Sequence, residues 1–467
     1  MINQVAGTVA RASAAQQAFW GATPVERAEV LEAIAAALDA NAEELATIAD
    51  RETHLGMPRL VGEVARTSFQ LRMFATALRE DRILAARTDE AVAGPPPQGH
   101  PTLQRTYVPI GVVAVFGASN FPFAFGELGG DTASALAAGC AVIVKEHPAH
   151  PDLARRLVDL ARTAIASTGA PADLLTSITG MREGAELVAA DAVRAVGFTG
   201  SLAGGRALYD IAANRPTPIP FYGELGSLNP VVVTRAAAAA RGGEIAKGFV
   251  DSMTLGAGQF CTKPAVFIVP ANSGIVDDVL SLLPSLPSMQ LLTTDIAARF
   301  DAGISALSAT PDITVHRASV EQEVPATPAI ITAALSSFLD SNSPLRHEYF
   351  GPSSVVLTYD DPSEALQVLE LDEGVLVGCV HGEDDDPDAR TFLQALEHRA
   401  GRIVWNGWPT GVAVTAEQMH GGPYPAATFS TSTSVGLHAA ERFARPVVRQ
   451  DWPAHHSNPA AIVDRNE

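Results

Sequence analysis

Three cysteines in 467 residues are too few, and odd in number, to build a disulfide framework, and they favour a reducing compartment. No run of about 18 uncharged apolar residues occurs, so no membrane-spanning helix is expected. The greasiest stretch, Ala133 to Val144, is interrupted by Gly139 and closed by Lys145. Basic residues are scarce as well: 32 Lys and Arg stand against 52 Asp and Glu, a formal charge of −20. They form no cluster, so a nucleic-acid footprint is not expected, and the acidic excess reads as solubility. The opening MINQVAGTVARASAAQQAFW carries neither a basic start nor an apolar core, so no secretory signal is expected. Together these absences predict a cytoplasmic protein. What is present, 47% hydrophobic and 18% charged residues, suffices to bury large cores. At about 150 residues per domain, the length corresponds to roughly three structural units.

Residues 14 to about 85 carry helical periodicity, with Val25, Val30, Leu31, Ile34, Leu38, Leu45 and Ile48 recurring near every third or fourth position. Thr23-Pro24 followed by Glu26 predicts a helix start, and Gly56-Met57-Pro58 a break. After the stiff connector Ala93-Gly94-Pro95-Pro96-Pro97, strand–helix alternation takes over and predicts an α/β fold with parallel sheets. Strand candidates are Val112–Phe116, Ala141–Val144, Ala195–Phe198, Pro230–Val233, Ala265–Val269, Ser354–Leu357 and Gly374–Val380. Asp152–Ser167 reads as a helix, and the tail from Phe443 to Pro453 as extended. The acidic run Glu383 to Asp388 lacks the Gly and Glu positions of a calcium loop and is expected to be a surface loop.

Four segments carry possible chemistry. Cys140 and Cys379 lie in wholly apolar contexts and read as core packing. Cys261 sits instead in Gly256-Ala257-Gly258-Gln259-Phe260-Cys261-Thr262-Lys263-Pro264, where glycines admit close approach of backbone and ligand. It is a nucleophile or a packed thiol, and a nucleophile needs local help because a free thiol is only a few per cent thiolate at neutral pH. Phe198-Thr199-Gly200-Ser201-Leu202-Ala203-Gly204-Gly205 follows a strand and opens a helix. Such a turn presents N–H groups to an anion, but its spacing is not the G-x-G-x-x-G fingerprint, and taken alone the segment reads more simply as a plain strand-to-helix turn. Asn120, after Val115 to Ser119, is either an oxyanion donor or a residue that shapes the turn before Pro122. Glu224, in Tyr222-Gly223-Glu224-Leu225-Gly226, is either a base whose pKa desolvation raises or a capping or paired carboxylate.

The stretches FGASNFPFAF, GGDTASALAAGCAVIVKEHPAHP, AVGFTGSLAGG, ELGSLNP, TLGAGQFCTKP, EYFGPSS and NGWPTGV with HGGPYPA run in this order from about residue 116 to 426. In them the chain resembles the aldehyde dehydrogenase superfamily, nearest its NADP-accepting α-ketoglutarate semialdehyde (2,5-dioxovalerate) and fatty aldehyde dehydrogenase branch. The resemblance implies a Rossmann-type cofactor domain over residues 1–226, with 98–110 as an oligomerisation segment. It further implies an α/β catalytic domain over 227–425, and a return segment and oligomerisation tail over 426–467. A homodimer or homotetramer is expected.

By the same resemblance Cys261 is the nucleophile that forms a thiohemiacetal and then a thioester. Asn120 and the Cys261 N–H form the oxyanion hole, and Glu224 activates the water that hydrolyses the thioester. Lys145 holds the adenosine ribose; Gly200, Ser201 and Gly205 form the pyrophosphate turn; Leu225, Glu348 and Phe350 complete the nicotinamide end. Arg182, after a strand and turn, is a candidate partner for the adenine or a 2′-phosphate. Pro148 stands where NAD-preferring members carry a glutamate, which favours NADP, with NAD still possible and Glu146 near enough in sequence to substitute. Phe123, Phe125 and Leu128 are the candidate substrate pocket, for either an acidic semialdehyde or a medium- to long-chain aliphatic aldehyde.

The first glutamate of the usual Glu-Glu pair before Phe-Gly-Pro is His347 here. The family's strand-rich lead-in is missing, the chain starting near the first helix, and Phe123, Gly126 and Glu127 depart from the branch's pocket sequence. The histidine pairs His147/His150 and His455/His456 lack a carboxylate that completes a zinc motif, so no metal is expected. His420 is expected to be structural or pocket-lining. Three rival readings remain: a form that transfers the acyl group to coenzyme A, a silent binding protein, and a cysteine hydrolase. Glu224 opposes the first and the intact Cys261–Glu224–Asn120 set the second. The third lacks an identifiable histidine partner for Cys261.

Overall fold

The computed structural model describes residues 4–318 and 326–453. Four helices open the chain: α1 (Gln4–Phe19), α2 (Pro24–Ala40), α3 (Ala42–Thr53) and α4 (Met57–Arg79). The start of α2 is a capping box. Thr23 accepts from the Glu26 N–H and the Glu26 carboxylate accepts from the Thr23 N–H, satisfying two otherwise unpaired donors. Gly56, at φ 89°, separates α3 from α4 in a backbone conformation that glycine adopts without penalty. Helical structure begins ten residues before the expected position 14, because Val5, Val9, Ala12 and Ala15 give α1 a buried stripe of its own.

Fifteen strands form three sheets among the described residues. The first contains β1 (Arg87–Asp89), β2 (Leu103–Pro109) and β15 (Ala444–Gln450), all antiparallel. The second has the order β5-β4-β3-β6-β7, with β3 (Val112–Phe116), β4 (Val142–Lys145), β5 (Leu175–Ile178), β6 (Val193–Thr199) and β7 (Phe221–Glu224), every pair parallel. Its strand order reverses direction between β3 and β6, the switch point at which ligands of doubly wound sheets bind. Helices α5 (Gly130–Ala137), α6 (Pro151–Ser167), α7 (Met181–Ala189) and α8 (Leu202–Asn214) are interleaved with these strands.

The third sheet has the order β10-β11-β12-β9-β8-β13-β14. Its members are β8 (Asn229–Val233), β9 (Pro264–Pro270), β10 (Ile313–Arg317), β11 (Ala329–Ala333), β12 (Ser353–Tyr359), β13 (Val375–His381) and β14 (Ala400–Trp405). Only the edge strand β10 runs antiparallel. The seven strand candidates read from sequence fall on β3, β4, β6, β8, β9, β12 and β13, all apolar and buried. Five other sheet strands, β5, β7, β10, β11 and β14, lacked so plain a pattern. The acidic run is not wholly loop: Asp386 caps the helix Pro387–Glu397 by accepting from the N–H groups of Asp388 and Ala389. None of the described helices is long and apolar enough to cross a membrane.

One core joins α1–α8 to the five-stranded sheet and reaches Leu437, Ala439, Ala440 and Phe443 near the chain's end. Two further cores cover the faces of the seven-stranded sheet. The segment after residue 425 therefore returns to the first core, and β15 continues from there to pair with β2 of the same chain.

Candidate active site

The loop that presents Cys261 is shaped by backbone strain. Gly256, Ala257 and Gly258 all have positive φ, at 57°, 58° and 66°. A Cβ on Gly258 would sit 2.3 Å from the Gly351 carbonyl oxygen, so only glycine fits there. Asn229, at the start of β8, holds the other side of the loop: its Nδ2 donates to the carbonyls of Cys261 (2.8 Å) and Lys263 (3.0 Å). Its Oδ1 accepts from Ser227 and from the Val377 N–H, which ties the loop to the centre of the sheet. Lys263 points away from the thiol. Its Nζ donates to the Tyr349 and Gly351 carbonyls at 2.7 and 2.8 Å, fixing the Phe350 segment instead.

Asn120 lies just past the carboxyl end of β3, buried, with Nδ2 donating to the Gln259 carbonyl at 2.9 Å, two residues before Cys261. Gln259 is in turn held by the Leu292 N–H, and Arg59 of α4 donates to the Asn120 carbonyl at 2.6 Å. The Arg59 guanidinium also lies over the rings of Phe121 and Phe260.

Glu224 ends β7. The residues that follow it pair with the return segment: Leu225 N–H donates to Ala426 and Thr428 N–H to Gly223. That pairing brings His420 to the site. Its Nε2 is 2.8 Å from Glu224 Oε1 and 3.6 Å from Cys261 Sγ, with the His420 ring 5.8 Å from that of Phe125. The loop is locked where it turns back: His420 N–H donates to Thr433 Oγ1, and Ser434 Oγ donates to Glu224 Oε2 at 3.0 Å. Cys261 therefore has a histidine partner after all, supplied from 159 residues away in sequence.

The electrostatics differ from the sequence expectation. Burial alone would raise the Glu224 carboxyl, but its close neighbours His420, Ser434 and Cys261 together hold it below the usual carboxylate range. Burial, then the neighbouring Glu224 charge, pushes the Cys261 thiol well above an ordinary thiol. The resting pair is thus a thiol beside a carboxylate. Forming the thiolate requires an acceptor for its proton, and His420 Nε2 and the Glu224 carboxylate are both within reach.

A family model described as "Aldehyde dehydrogenase family" matches residues 2–287. The chain belongs to the aldehyde dehydrogenase family. Two curated members resemble it over most of its length. It is 43% identical to alpha-ketoglutaric semialdehyde dehydrogenase 2 of Azospirillum brasilense, over 93% of this chain and 87% of that one. It is 40% identical to the alpha-ketoglutaric semialdehyde dehydrogenase of Acinetobacter baylyi, over 94% of this chain and 85% of that one. Among solved structures, 1-pyrroline-5-carboxylate dehydrogenase from Thermus with bound NAD superposes with a TM-score of 0.80 at 21% identity. That alignment covers 96% of this chain and 86% of the Thermus enzyme, and the likeness is one of fold.

The other expected site residues of this aldehyde dehydrogenase divide into two groups. Lys145 is buried at the carboxyl end of β4, and Ser201 caps α8 by accepting from the Gly204 N–H. Gly205 packs so closely that an added Cβ would lie 2.2 Å from Leu225, and Glu348 reaches back to Gly226, where an added Cβ would meet its carboxylate at 2.5 Å. Gly200 opens the α8 turn, its N–H donating to the Glu224 carbonyl, and Phe350 is half-buried before Gly351. Glu146 is buried, and one oxygen of its carboxylate accepts from the Ser177 hydroxyl at 2.6 Å. Arg182 stands apart: its side chain is 80% exposed and is paired with Glu183 and Glu186.

Of the three candidate pocket residues, Phe123 and Leu128 are sealed in the large core, and Phe125 alone packs with Phe121 and Val412 beside His420. The segment from Phe121 to Gly129 is a run of tight turns rather than a helix; a Cβ at Gly126 would lie 2.0 Å from the Pro122 carbonyl oxygen. The sequence reading also missed Arg66. Its guanidinium lies over Phe125, 5.1 Å from the ring centroid, and its Nη2 donates to the Val412 carbonyl; burial lowers its pKa, against the charges of Glu63, Cys261 and Glu224. Its Nη1 is buried with no hydrogen-bond partner among the described residues. A signal was available: Arg59, Glu63, Arg66 and Gln70 recur along one face of α4, a polar stripe where a core-facing stripe would be apolar. His455 and His456 lie outside the described residues.

Proposed function

We propose that this aldehyde dehydrogenase oxidises an acidic semialdehyde, of the α-ketoglutarate semialdehyde type, to the carboxylic acid with a nicotinamide dinucleotide as oxidant. The observation that carries the reading is the convergence of Cys261, His420 and Glu224 beside Asn120, in a chain 43% identical to an enzyme named for that substrate. Cys261 Sγ attacks the aldehyde carbon while its proton passes to the Glu224–His420 pair, whose carboxylate and Nε2 share it across their 2.8 Å contact. Asn120 Nδ2 and the Cys261 N–H donate to the oxyanion, which requires Asn120 to exchange its Gln259 contact for the substrate oxygen. Water then cleaves the thioester, deprotonated by the Glu224–His420 pair; Glu224 alone, held low, is a weak base.

The bound cofactor supplies the hydride acceptor. The chain's features fit such a group. The Ser201-capped amino end of α8 opens at the switch point of the five-stranded sheet, and Lys145 stands at the end of the neighbouring strand. Pro148 stands where NAD-preferring members carry a glutamate, and one oxygen of the Glu146 carboxylate is tied to Ser177, so NADP is preferred and NAD accepted. Arg66, with an unsatisfied buried donor, is the partner for the substrate's distal carboxylate. Residues 1–226 and 227–425 act as cofactor and catalytic units. The β2–β15 ribbon is the surface on which copies of the chain assemble in the cytoplasm.

The test is a kinetic panel of acidic semialdehydes and straight-chain aldehydes, each with NADP and NAD. Acidic substrates should lead in kcat/KM by tenfold or more, about 1.4 kcal/mol, and Arg66→Met should erase that lead. An equal or greater kcat/KM for straight-chain aldehydes refutes the substrate class, and a tenfold lead for NAD refutes the cofactor preference.

A further inference from the structure

Three unlike ligand atoms converge at the centre of the molecule: Cys261 Sγ, His420 Nε2 and a carboxylate oxygen of Glu224, all within 4.8 Å of one another. Glu224 and His420 are buried, and Glu224 Oε1 makes no well-directed hydrogen bond despite lying 2.8 Å from the imidazole nitrogen. Tetrahedral zinc with thiolate at about 2.3 Å and nitrogen and oxygen at about 2.0–2.2 Å places such ligand atoms roughly 3.4–3.6 Å apart. The sulfur–nitrogen separation, 3.6 Å, already matches. The nitrogen–oxygen separation, 2.8 Å, needs to open by about 0.6 Å, and the sulfur–oxygen pair, within 4.8 Å, to close toward about 3.5 Å, both by rotation of the Glu224 carboxylate.

We propose that Cys261, His420 and Glu224 form a binding site for a thiophilic divalent cation, zinc above all, and that the metal holds the enzyme in a reversibly inhibited state. This metal takes no part in aldehyde oxidation. It occupies the nucleophile. On binding, the Cys261 S–H bond breaks, its proton leaves to solvent, and a sulfur–zinc bond forms; nothing is oxidised or reduced. Neutral imidazole and the Glu224 carboxylate supply the second and third ligands, and water the fourth. The two anionic ligands cancel the charge of the cation, so the buried site ends neutral. A thiolate beside a carboxylate is costly to bury without such a cation, and the cluster is therefore better matched to a metal than to its own ionised form. Hard cations such as magnesium and calcium, which prefer six or more oxygen ligands, are not matched by this set.

The positions of the other two cysteines sharpen the test. Cys140 and Cys379 are wholly buried in the cores, so a thiolate–metal signal has a single source, Cys261. The experiment titrates the full chain with Co²⁺ as a spectroscopic probe and with Zn²⁺ by calorimetry, without substrate or cofactor. The expected result is one equivalent bound, with near-ultraviolet thiolate-to-cobalt absorption and visible bands of tetrahedral intensity. Alkylating Cys261 in the unsubstituted protein should abolish both. His420→Gln should weaken zinc roughly 100-fold or more, with circular dichroism and Tm checked to show that the chain stays folded. Chelator should restore the aldehyde oxidation that zinc suppresses. No thiolate-to-cobalt absorption in the unsubstituted protein, or equal zinc affinity before and after alkylation, overturns the proposal. Because binding is read without turnover, its failure leaves the aldehyde reading standing, and an inactive but metal-binding protein would refute the latter alone.

Discussion

Two regions of this molecule use the same side chain to opposite ends. Cys140 precedes β4 and Cys379 lies inside β13, each fully buried among apolar neighbours, and burial pushes the Cys140 thiol up to about 11. Cys261 is in a loop strained by three positive-φ residues, half-buried, with a histidine and a carboxylate within reach of its sulfur. Chemistry follows the setting, not the residue. A thiol with no acceptor for its proton is a small hydrophobe, whereas the same thiol against His420 and Glu224 has two acceptors beside it.

The largest expected effect breaks this comparison cleanly if it is wrong. Cys261→Ala should lower turnover by about 10⁴-fold or more, because the covalent route is lost, while its Tm stays near that of the unsubstituted protein. Cys379→Ser should do the reverse. A hydroxyl forced into the centre of the seven-stranded sheet without a partner costs about 1–3 kcal/mol, read by urea denaturation, with kcat unchanged. Turnover surviving in Cys261→Ala would return that thiol to the packing class.

A second measurement separates how much thiolate is present from how well it is used. The Glu224 charge is among the causes that raise the Cys261 thiol, so Glu224→Gln should shift the pH curve of iodoacetamide alkylation to lower pH. Turnover should nevertheless fall, by about 10²–10⁴-fold, because the thioester loses part of its base. The sign is the test: a variant richer in thiolate at neutral pH yet slower. If alkylation shifts to higher pH, Glu224 is not a negative neighbour of the sulfur and the site's electrostatics have been misread.

Much of this was legible in sequence, for physical reasons that also mark the limit. Strands buried on both faces, such as Val112–Phe116 and Val375–His381, are continuous apolar runs and declare themselves. β7, Phe-Tyr-Gly-Glu, is four residues long and ends on a carboxylate; β5, Leu-Thr-Ser-Ile, has two polar residues between its apolar ends and does not stand out. Thr23 and Glu26 act locally, so their capping box could be read directly. His420 could not. It meets Cys261 only because the return segment pairs with β7, and that contact leaves no local pattern around the cysteine. Arg66 left a polar stripe on α4 as its signal, but its place over Phe125 depends on how α4 packs beside the Phe121–Phe125 turns. For the same reason the paired alternative for Glu224 could not be chosen over the desolvated one: desolvation is a local expectation, and the His420 and Ser434 contacts that help to outweigh it come from residues remote in sequence.

The smallest expected effect concerns two cations proposed for the cofactor at the five-stranded sheet. Lys145 is buried at the end of β4, and burial lowers its pKa while the charges of Glu127 and Glu146 oppose that shift. Losing a charge-assisted hydrogen bond there costs about 1.5–3 kcal/mol, so Lys145→Met should raise the KM for NADP roughly tenfold to a hundredfold. Arg182 lies on α7 with its guanidinium in solvent, already shared between Glu183 and Glu186, and exposed pairs of this kind hold little energy. Arg182→Ala should therefore change the KM for NADP by no more than about twofold, at the scale of ordinary surface substitutions. A rise of tenfold in that variant, with the KM for NAD unchanged, would mean that Arg182 leaves its carboxylates to meet a 2′-phosphate. The two cations would then share the work that burial here gives to Lys145.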